Sequence, residues 1–380
     1  MFSPNFSISN KILKYIGRIE AARDYIENAP LVPAYEAKFR QEAIIRTVHH
    51  GTHIEGNPLG TGEVAAVLAA GPEDLLPRGR VRQEIDARDR DVQEILNYRN
   101  VLSYIDKKAP KSAIALYNRV SNKSGARLIG EKDLLQLHKL TVEKILPVDK
   151  SGKFRTTQVV VKNSKTQEIS FKPPPAGEVK SLVTDFLSWL NSDPVSEIHP
   201  VILAGIVHYV LAFIHPFVDG NGRAARAFAT LVLFARGYDI KKFFSLEEYF
   251  DRDAKRYYAT LQSISNQSNQ GVPLQGKDLT VWLEYFCEGL AQELERVKEK
   301  VQKLSLDSRL KGRTGQIVLS ERQVKLVEYI ESYGSINNRV WRSILPDYSD
   351  DTILRDLKDL QKKKLIKKKG STKGAVYVLR

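Results

Sequence analysis

Cysteine, methionine and tryptophan are scarce in this chain of 380 residues, at one, one and three. A lone cysteine, Cys287, excludes an internal disulfide framework and a thiolate zinc cluster, and it suits a reducing compartment. Its setting, TVWLEYFCEGL, is that of a core residue. No apolar run approaches the ~18–20 residues that cross a bilayer. The opening MFSPNFSISNKILKYIGRIE lacks the basic-then-apolar order of a secretion signal, so the expected location is cytoplasmic, without membrane contact. Neither a Walker lysine motif nor a GxGxxG after a strand is present, which removes P-loop and dinucleotide folds. Acid is in deficit. The 59 basic and 45 acidic side chains leave a net charge of +14, which raises polyanionic partners. Residues 315–380 hold 14 basic and 8 acidic side chains, hence +6 of that total, with seven lysines between Lys362 and Lys373.

What is abundant is helical periodicity. Apolar residues at steps of three and four predict helices over 10–28, 34–49, 83–105, 130–146, 177–191, 199–214, 223–236 and 279–304. The stretch 201–214 is apolar on nearly every side and should be the buried central helix. GKFRTTQVVVKNSKTQEISFKPPP (152–175) breaks the pattern and reads as an isolated β-hairpin whose edge could accept a peptide strand. Leu290, Leu294, Val297, Val301 and Leu304 form a seam that fits either a short coiled coil or a helix lying on its own domain. SLDSRLKGRTGQ (305–316) is the best interdomain linker.

HPFVDGNGRAAR, His215 to Arg226, carries the chemistry. Glycines at a helix start present backbone N–H groups to an anion, and Gly220 and Gly222 let a phosphate come close. Asp219 offers the hard oxygen that suits Mg²⁺ on phosphates. Arg223 and Arg226 add guanidinium forks, and His215 can serve as a base near neutral pH. A base, a metal ligand, an anion nest and two arginines within one loop point to attack on a phosphate. A bare glycine turn would need none of them.

The loop resembles the Fic family signature, His-x-Phe-x-(Asp/Glu)-Gly-Asn-Gly-Arg-x-x-Arg, at all eight specified positions. The resemblance extends through GKFRTTQVVV, similar to the family's flap, and RYYATL at 256–261. It implies a mainly α fold: a Fic helical core with a β-hairpin flap, followed by a winged helix-turn-helix. It also implies transfer of AMP from ATP to a Ser, Thr or Tyr hydroxyl of a protein target, the chain itself included. On that resemblance His215 is the base, Asp219 holds Mg²⁺, and Gly220, Asn221 and Gly222 form the anion hole. Arg223 and Arg226 would bind phosphate, the latter the γ-phosphate. Val159, Val160 and Val161 border the nucleotide and clamp the target, and Tyr257 and Tyr258 lie near the adenosine unless they are plain core aromatics. The intact GNGR favours ATP over other donors.

THIEGNP (52–58) resembles the family's inhibitory motif, (Ser/Thr)-x-x-x-Glu-(Gly/Asn), which implies that Glu55 pairs with Arg226 and denies it to the γ-phosphate. The match is partial. Gly51 stands at the Ser/Thr position, which should weaken the cap and leave a leaky brake. HHxxH at His49, His50 and His53 invites a zinc reading, but no neighbouring carboxylate or thiolate in the sequence completes a tetrahedral set.

Residues 317–380 read as three helices and a hairpin and resemble a winged helix-turn-helix, whose third helix would enter a major groove. The lysines fit phosphate contact; Asp350, Asp351, Asp356 and Asp359 on that helix oppose it. The organisation expected is therefore an N-terminal helical region with the brake (1–110), a Fic core (111–306) and the tail (317–380). A nucleotide-sensing DNA-binding regulator, or an enzyme that removes AMP at the same site with Glu55 orienting water, are the alternatives. A homodimer and DNA at residues 317–380 stay open as partners.

Overall fold

The computed structural model describes residues 2–31, 33–69, 89–109, 129–162, 169–265, 276–310, 319–370 and 375–380. The first part of the helix expected over 83–105, the turn of the first hairpin (163–168) and the linker residues 311–316 lie outside them.

The centre is α7 (Pro200–Ile214), which follows α1 (Asn10–Asn28), α2 (Pro33–His53), α3 (Thr61–Ala69), α4 (Asp89–Lys108), α5 (Glu131–Thr141) and α6 (Val179–Leu190). His199 accepts from the Val201 N–H and Pro200 opens the first turn, a combination that starts a helix cleanly. Every residue of α7 from Val201 to Leu211 is buried, as its all-round apolarity requires. α8 (Asn221–Ala235) packs along it, and α9 (Leu246–Arg252), α10 (Ala254–Ser265) and the long α11 (Thr280–Leu310) close the body. The apolar seam of α11 faces α1: Leu290, Leu294, Val297 and Val301 are buried in that contact, so the seam is internal. One core runs from Phe2 to Val301, so the segment that carries Glu55 and the loop 215–226 share one packed body. Cys287 lies inside it, where burial pushes its thiol up to about 12.

Two readings shift. α2 runs on through His53, past the turn expected from His49; Thr52 back-bonds to the Val48 and His49 carbonyls, and the chain then turns over 54–56, closing at Gly56 (φ 94°). The first hairpin shrinks to β1 (Val161–Lys162) and β2 (Ile169–Phe171), antiparallel with an irregularity in register. The tail comprises α12 (Glu321–Tyr333), α13 (Asn338–Ile344), α14 (Asp350–Lys362), β3 (Ile366–Lys369) and β4 (Val376–Leu379). Ser320 and Gln323 form the capping box read from sequence, and Ile336 bridges to Tyr377 beside the hairpin. Among the described residues, the tail's separate core admits one outsider, Ala37 of α2. The helix that leads to Glu55 is thus also a wall of the tail.

Candidate active site

The loop between α7 and α8 builds the site. α7 stops at His215 in the left-handed region (φ 51°, ψ 59°), and Gly220 (φ 76°) turns the chain into α8. A β-carbon on Gly220 would meet Val142 at 2.9 Å, so space and backbone both require glycine. Asn221 staples the loop: its Oδ1 accepts from Phe217 N at 2.8 Å and its Nδ2 donates to Phe217 O at 2.9 Å.

Two residues not singled out in the sequence hold this loop. His138 of α5 stacks on Phe217 (3.7 Å, 1° between planes). Its Nδ1 accepts from Gly152 N at 3.0 Å, so Nε2 carries the proton and donates to the Asp219 carbonyl at 3.0 Å. Arg155 Nε donates to the His215 carbonyl at 2.8 Å and Nη2 to the Pro174 carbonyl at 2.6 Å, tying both ends of the hairpin to the loop. The available signals were GKFR and a histidine on the buried face of an amphipathic helix.

His215 Nδ1 lies 3.3 Å from the Ala212 carbonyl, which can only accept, so Nε2 is free to act as base. Burial pushes its pKa below the ordinary imidazole value, against the upward pull of that carbonyl and of Glu55 and Asp219. The loop opens on a cavity of about 320 Å³, lined by His215, Asp219, Gly220, Asn221, Gly222 and Arg226. Val160, Val161, Glu55, Tyr257 and Tyr258 complete part of the wall; Val159 and Arg223 are not in it. Arg223 is buried toward α4, with Nη1 3.4 Å from Glu94. Tyr257 is mainly a core residue, its hydroxyl 2.9 Å from His208 Nε2, while Tyr258 is 41% exposed and reaches the Ile54 carbonyl at 3.4 Å.

Arg226, 2% exposed, donates through Nη2 to Glu55 Oε1 at 2.8 Å and to the Gly51 carbonyl at 2.9 Å. Its Nε and Nη1 make no hydrogen bond of good geometry. Glu55 also fills the space that a β-carbon on Gly222 would take, so the carboxylate sits over the amino end of α8. Gly51 has a local reason: any β-carbon there would fall 2.5 Å from the Tyr98 ring. The Ser/Thr of the family motif does not fit beneath Tyr98, and the Gly51 carbonyl holds Arg226 instead.

Among the described residues, no group of three or more His, Cys, Asp or Glu is placed to hold a metal. Two of the three histidines of α2 are otherwise engaged: His50 and His53 bind Asp251 of α9 at 2.7 and 2.8 Å. A single half-exposed carboxylate at a helix amino end is nevertheless the donor set Mg²⁺ uses when phosphates supply its other ligands; Asp219, whose Oδ1 accepts from Gly220 N at 2.6 Å and whose Oδ2 lies 3.4 Å from Arg90, fits that description. No described helix is long and apolar enough to cross a membrane.

Burial also pushes His138 down to about 4 and His208 to about 3, from 6.5. Both are neutral in the folded chain, so below pH 6.5 the unfolded chain binds more protons. Stability should be complete above that pH and fall by up to ~1.4 kcal/mol per unit for each histidine as pH drops toward those values. Urea midpoints at pH 7, 5.5 and 4.5 check this; midpoints that do not move would contradict neutral burial.

Residues 128–233 match the model of the Fic/DOC family, so this stretch is a Fic domain. Among characterised sequences, the chain is similar to the protein adenylyltransferase Fic of Culex quinquefasciatus, 29% identical over 226 residues, 59% of this chain and 39% of that protein. The protein of the same name from Drosophila melanogaster is 30% identical over 200 residues, 52% of this chain and 34% of that one. The chain therefore spans well under half the length of these relatives. Among solved structures, a Fic family protein from Desulfovibrio desulfuricans G20 superposes with a TM-score of 0.59 at 20% identity, covering 100% of this chain and 98% of that one. Fic-1 (residues 134–508) from C. elegans gives 0.54 at 23% identity, covering 78% and 73%. These two likenesses establish a mainly helical Fic fold.

Proposed function

We propose that this chain is a protein adenylyltransferase: it transfers AMP from ATP to a Ser, Thr or Tyr hydroxyl of a protein, itself included, and Glu55 restrains it. The observation that carries the reading is Arg226, a buried guanidinium with two unused donors beside a glycine-rich helix start, in one cavity with His215 and Asp219. His215 Nε2 takes the proton of the acceptor hydroxyl. The oxygen attacks the α-phosphorus, the bond to the bridging oxygen breaks, and pyrophosphate leaves. Backbone N–H groups of Asn221 and Gly222 and the dipole of α8 face the charge that develops, whereas the Gly220 N–H expected to join them donates to Asp219 Oδ1 at 2.6 Å. Arg226, once freed, binds the γ-phosphate. Asp219 would hold Mg²⁺, which when bound would supply neutralisation of the phosphate charge. Val160 and Val161 border the nucleotide and offer a strand edge to the target. Separate incubations with α- and γ-labelled ATP test this. Label on protein from the α-phosphate alone is expected; label from the γ-phosphate would instead mean phosphorylation.

A second activity is favoured by the tail, read as a winged helix-turn-helix. The acids of α14 that oppose DNA contact are largely spent on internal partners. Asp356 accepts from Arg322 at 2.7 Å, Asp359 from Gln323 at 2.8 Å, and Asp350 from Arg342 at 2.9 Å. Arg355, Lys358 and Lys362 are left exposed on one face of α14, with Lys367, Lys368 and Lys369 beside them on β3. Duplex DNA should bind with an affinity that falls steeply with salt, and the triple variant Arg355→Ala, Lys358→Ala, Lys362→Ala should lose most of it. Salt-independent or unaltered binding would remove DNA as a partner.

A further inference from the structure

The resting site is occupied from two sides by side chains of opposite charge. Glu55 takes Arg226. Across the loop, Arg90 of α4 places Nη2 3.4 Å from Asp219 Oδ2 and Nε 3.3 Å from Glu94 Oε1. Glu94, 6% exposed, also faces Arg223 Nη1 at 3.4 Å and accepts from Asn57 Nδ2 at 3.1 Å. Asn57 is buried two residues after Glu55, anchored by its donation to the Asp91 carbonyl at 3.0 Å and its acceptance from Leu59 N at 3.2 Å. One buried carboxylate thus links the segment behind the brake to both Arg223 and Arg90, and Arg90 reaches on to Asp219.

The five groups differ in what holds them. Glu94, Arg223 and Asn57 are buried and fixed, whereas the side chains of Arg90 and Asp219 are 57% and 43% exposed. An ion pair that open gains little stability, so fold stability does not explain it. Its position does: Arg90 contacts Oδ2 of the carboxylate that lines the cavity, the oxygen left over once Gly220 N has donated to Oδ1 at 2.6 Å. Two cations cannot share that oxygen at contact distance without repulsion.

We propose that Arg90 is an internal counter-ion that competes with divalent metal for Asp219, and that Glu94 is the positioning residue that aims it. This rests on the assignment of Asp219 to the metal in the function proposed above. Metal arriving with nucleotide displaces Arg90, which stays tethered to Glu94. The chain would thereby restrain both halves of the nucleotide complex, Glu55 by occupying the γ-phosphate's arginine and Arg90 by occupying the metal's carboxylate.

The test uses the full chain and Mn²⁺ as probe, with free Mn²⁺ read by electron paramagnetic resonance in the presence of a non-hydrolysable ATP analogue. Arg90→Ala should tighten Mn²⁺ binding about two- to five-fold, the range an exposed ion pair allows. Arg90→Lys should restore most of the competition. Asp219→Ala should weaken binding, and adding Arg90→Ala to it should change nothing further. Arg90 is exposed enough that its removal leaves the core intact, and a melting curve for each variant checks this. Unchanged or weaker Mn²⁺ binding in Arg90→Ala, with Asp219→Ala still impaired, overturns the counter-ion role and leaves the metal assignment standing. Binding that Asp219→Ala does not affect overturns both.

Discussion

Glu55→Gly is expected to raise AMP transfer by an order of magnitude or more over wild type, ~1.4 kcal/mol of barrier for each tenfold. Two effects act together. The Nη2 group of Arg226 loses its 2.8 Å partner and becomes available to a γ-phosphate. The carboxylate that lies against Gly222, at the amino end of α8, is also removed from the place where phosphate must lie. Like charge there repels a triphosphate and forces it out of line with the attacking oxygen. The gain should appear in turnover more than in nucleotide affinity, because the restrained site can still hold ATP in an unproductive pose. Arg226→Ala should abolish the gain, since the group that Glu55 restrains is then missing. The pair is buried on the arginine side and anchored by the Gly51 carbonyl, so the absent Ser/Thr does not by itself loosen it. Wild-type self-modification measured against Glu55→Gly shows how tight the restraint is. Turnover that falls in Glu55→Gly would make Glu55 a participant instead, such as a group that orients water for AMP removal.

His215→Ala should lower transfer by ~10²–10⁴-fold, the usual contribution of a positioned base. Nucleotide binding should survive, because the anion site is made by backbone groups and Arg226. With Nδ1 directed at the Ala212 carbonyl and the pKa pushed down by burial, His215 is neutral at pH 7. Transfer by Glu55→Gly should therefore be flat near neutrality. It should fall only as pH drops below 6.5, where imidazolium begins to form and the base is lost. A limb centred at or above neutral pH would mean that another group titrates. Equal transfer in His215→Ala would remove it from the chemistry.

The site was legible in the sequence to the extent that it is contiguous. His215, Asp219, the GNG turn and Arg226 fall within twelve residues because one loop between two packed helices presents them all. Glu55 was legible only by resemblance; its approach to Arg226 needs α2 and α8 packed within one core. The support was hidden for a different reason. Asp91, Glu94 and Asn97 are polar residues of α4, yet all three are buried. What buries them is Arg223, Asn57 and the turn after α5, which are remote in sequence. Local periodicity carries no information about such partners. On α14 the charge count is nearly balanced, but Asp356 is buried against Arg322 while Arg355, Lys358 and Lys362 stay exposed, a difference the count does not carry. Ala37 had no signal at all, since an alanine on a helix face does not reveal which of two cores it enters.

Intact-protein mass spectrometry on Glu55→Gly, incubated with ATP and Mg²⁺ beside the Glu55→Gly, His215→Ala double variant, tests AMP transfer most directly. The single variant should gain the mass of one or more AMP groups, and the double variant should gain none. A gain of phosphate groups, no gain in the single variant, or an equal gain in both would contradict it.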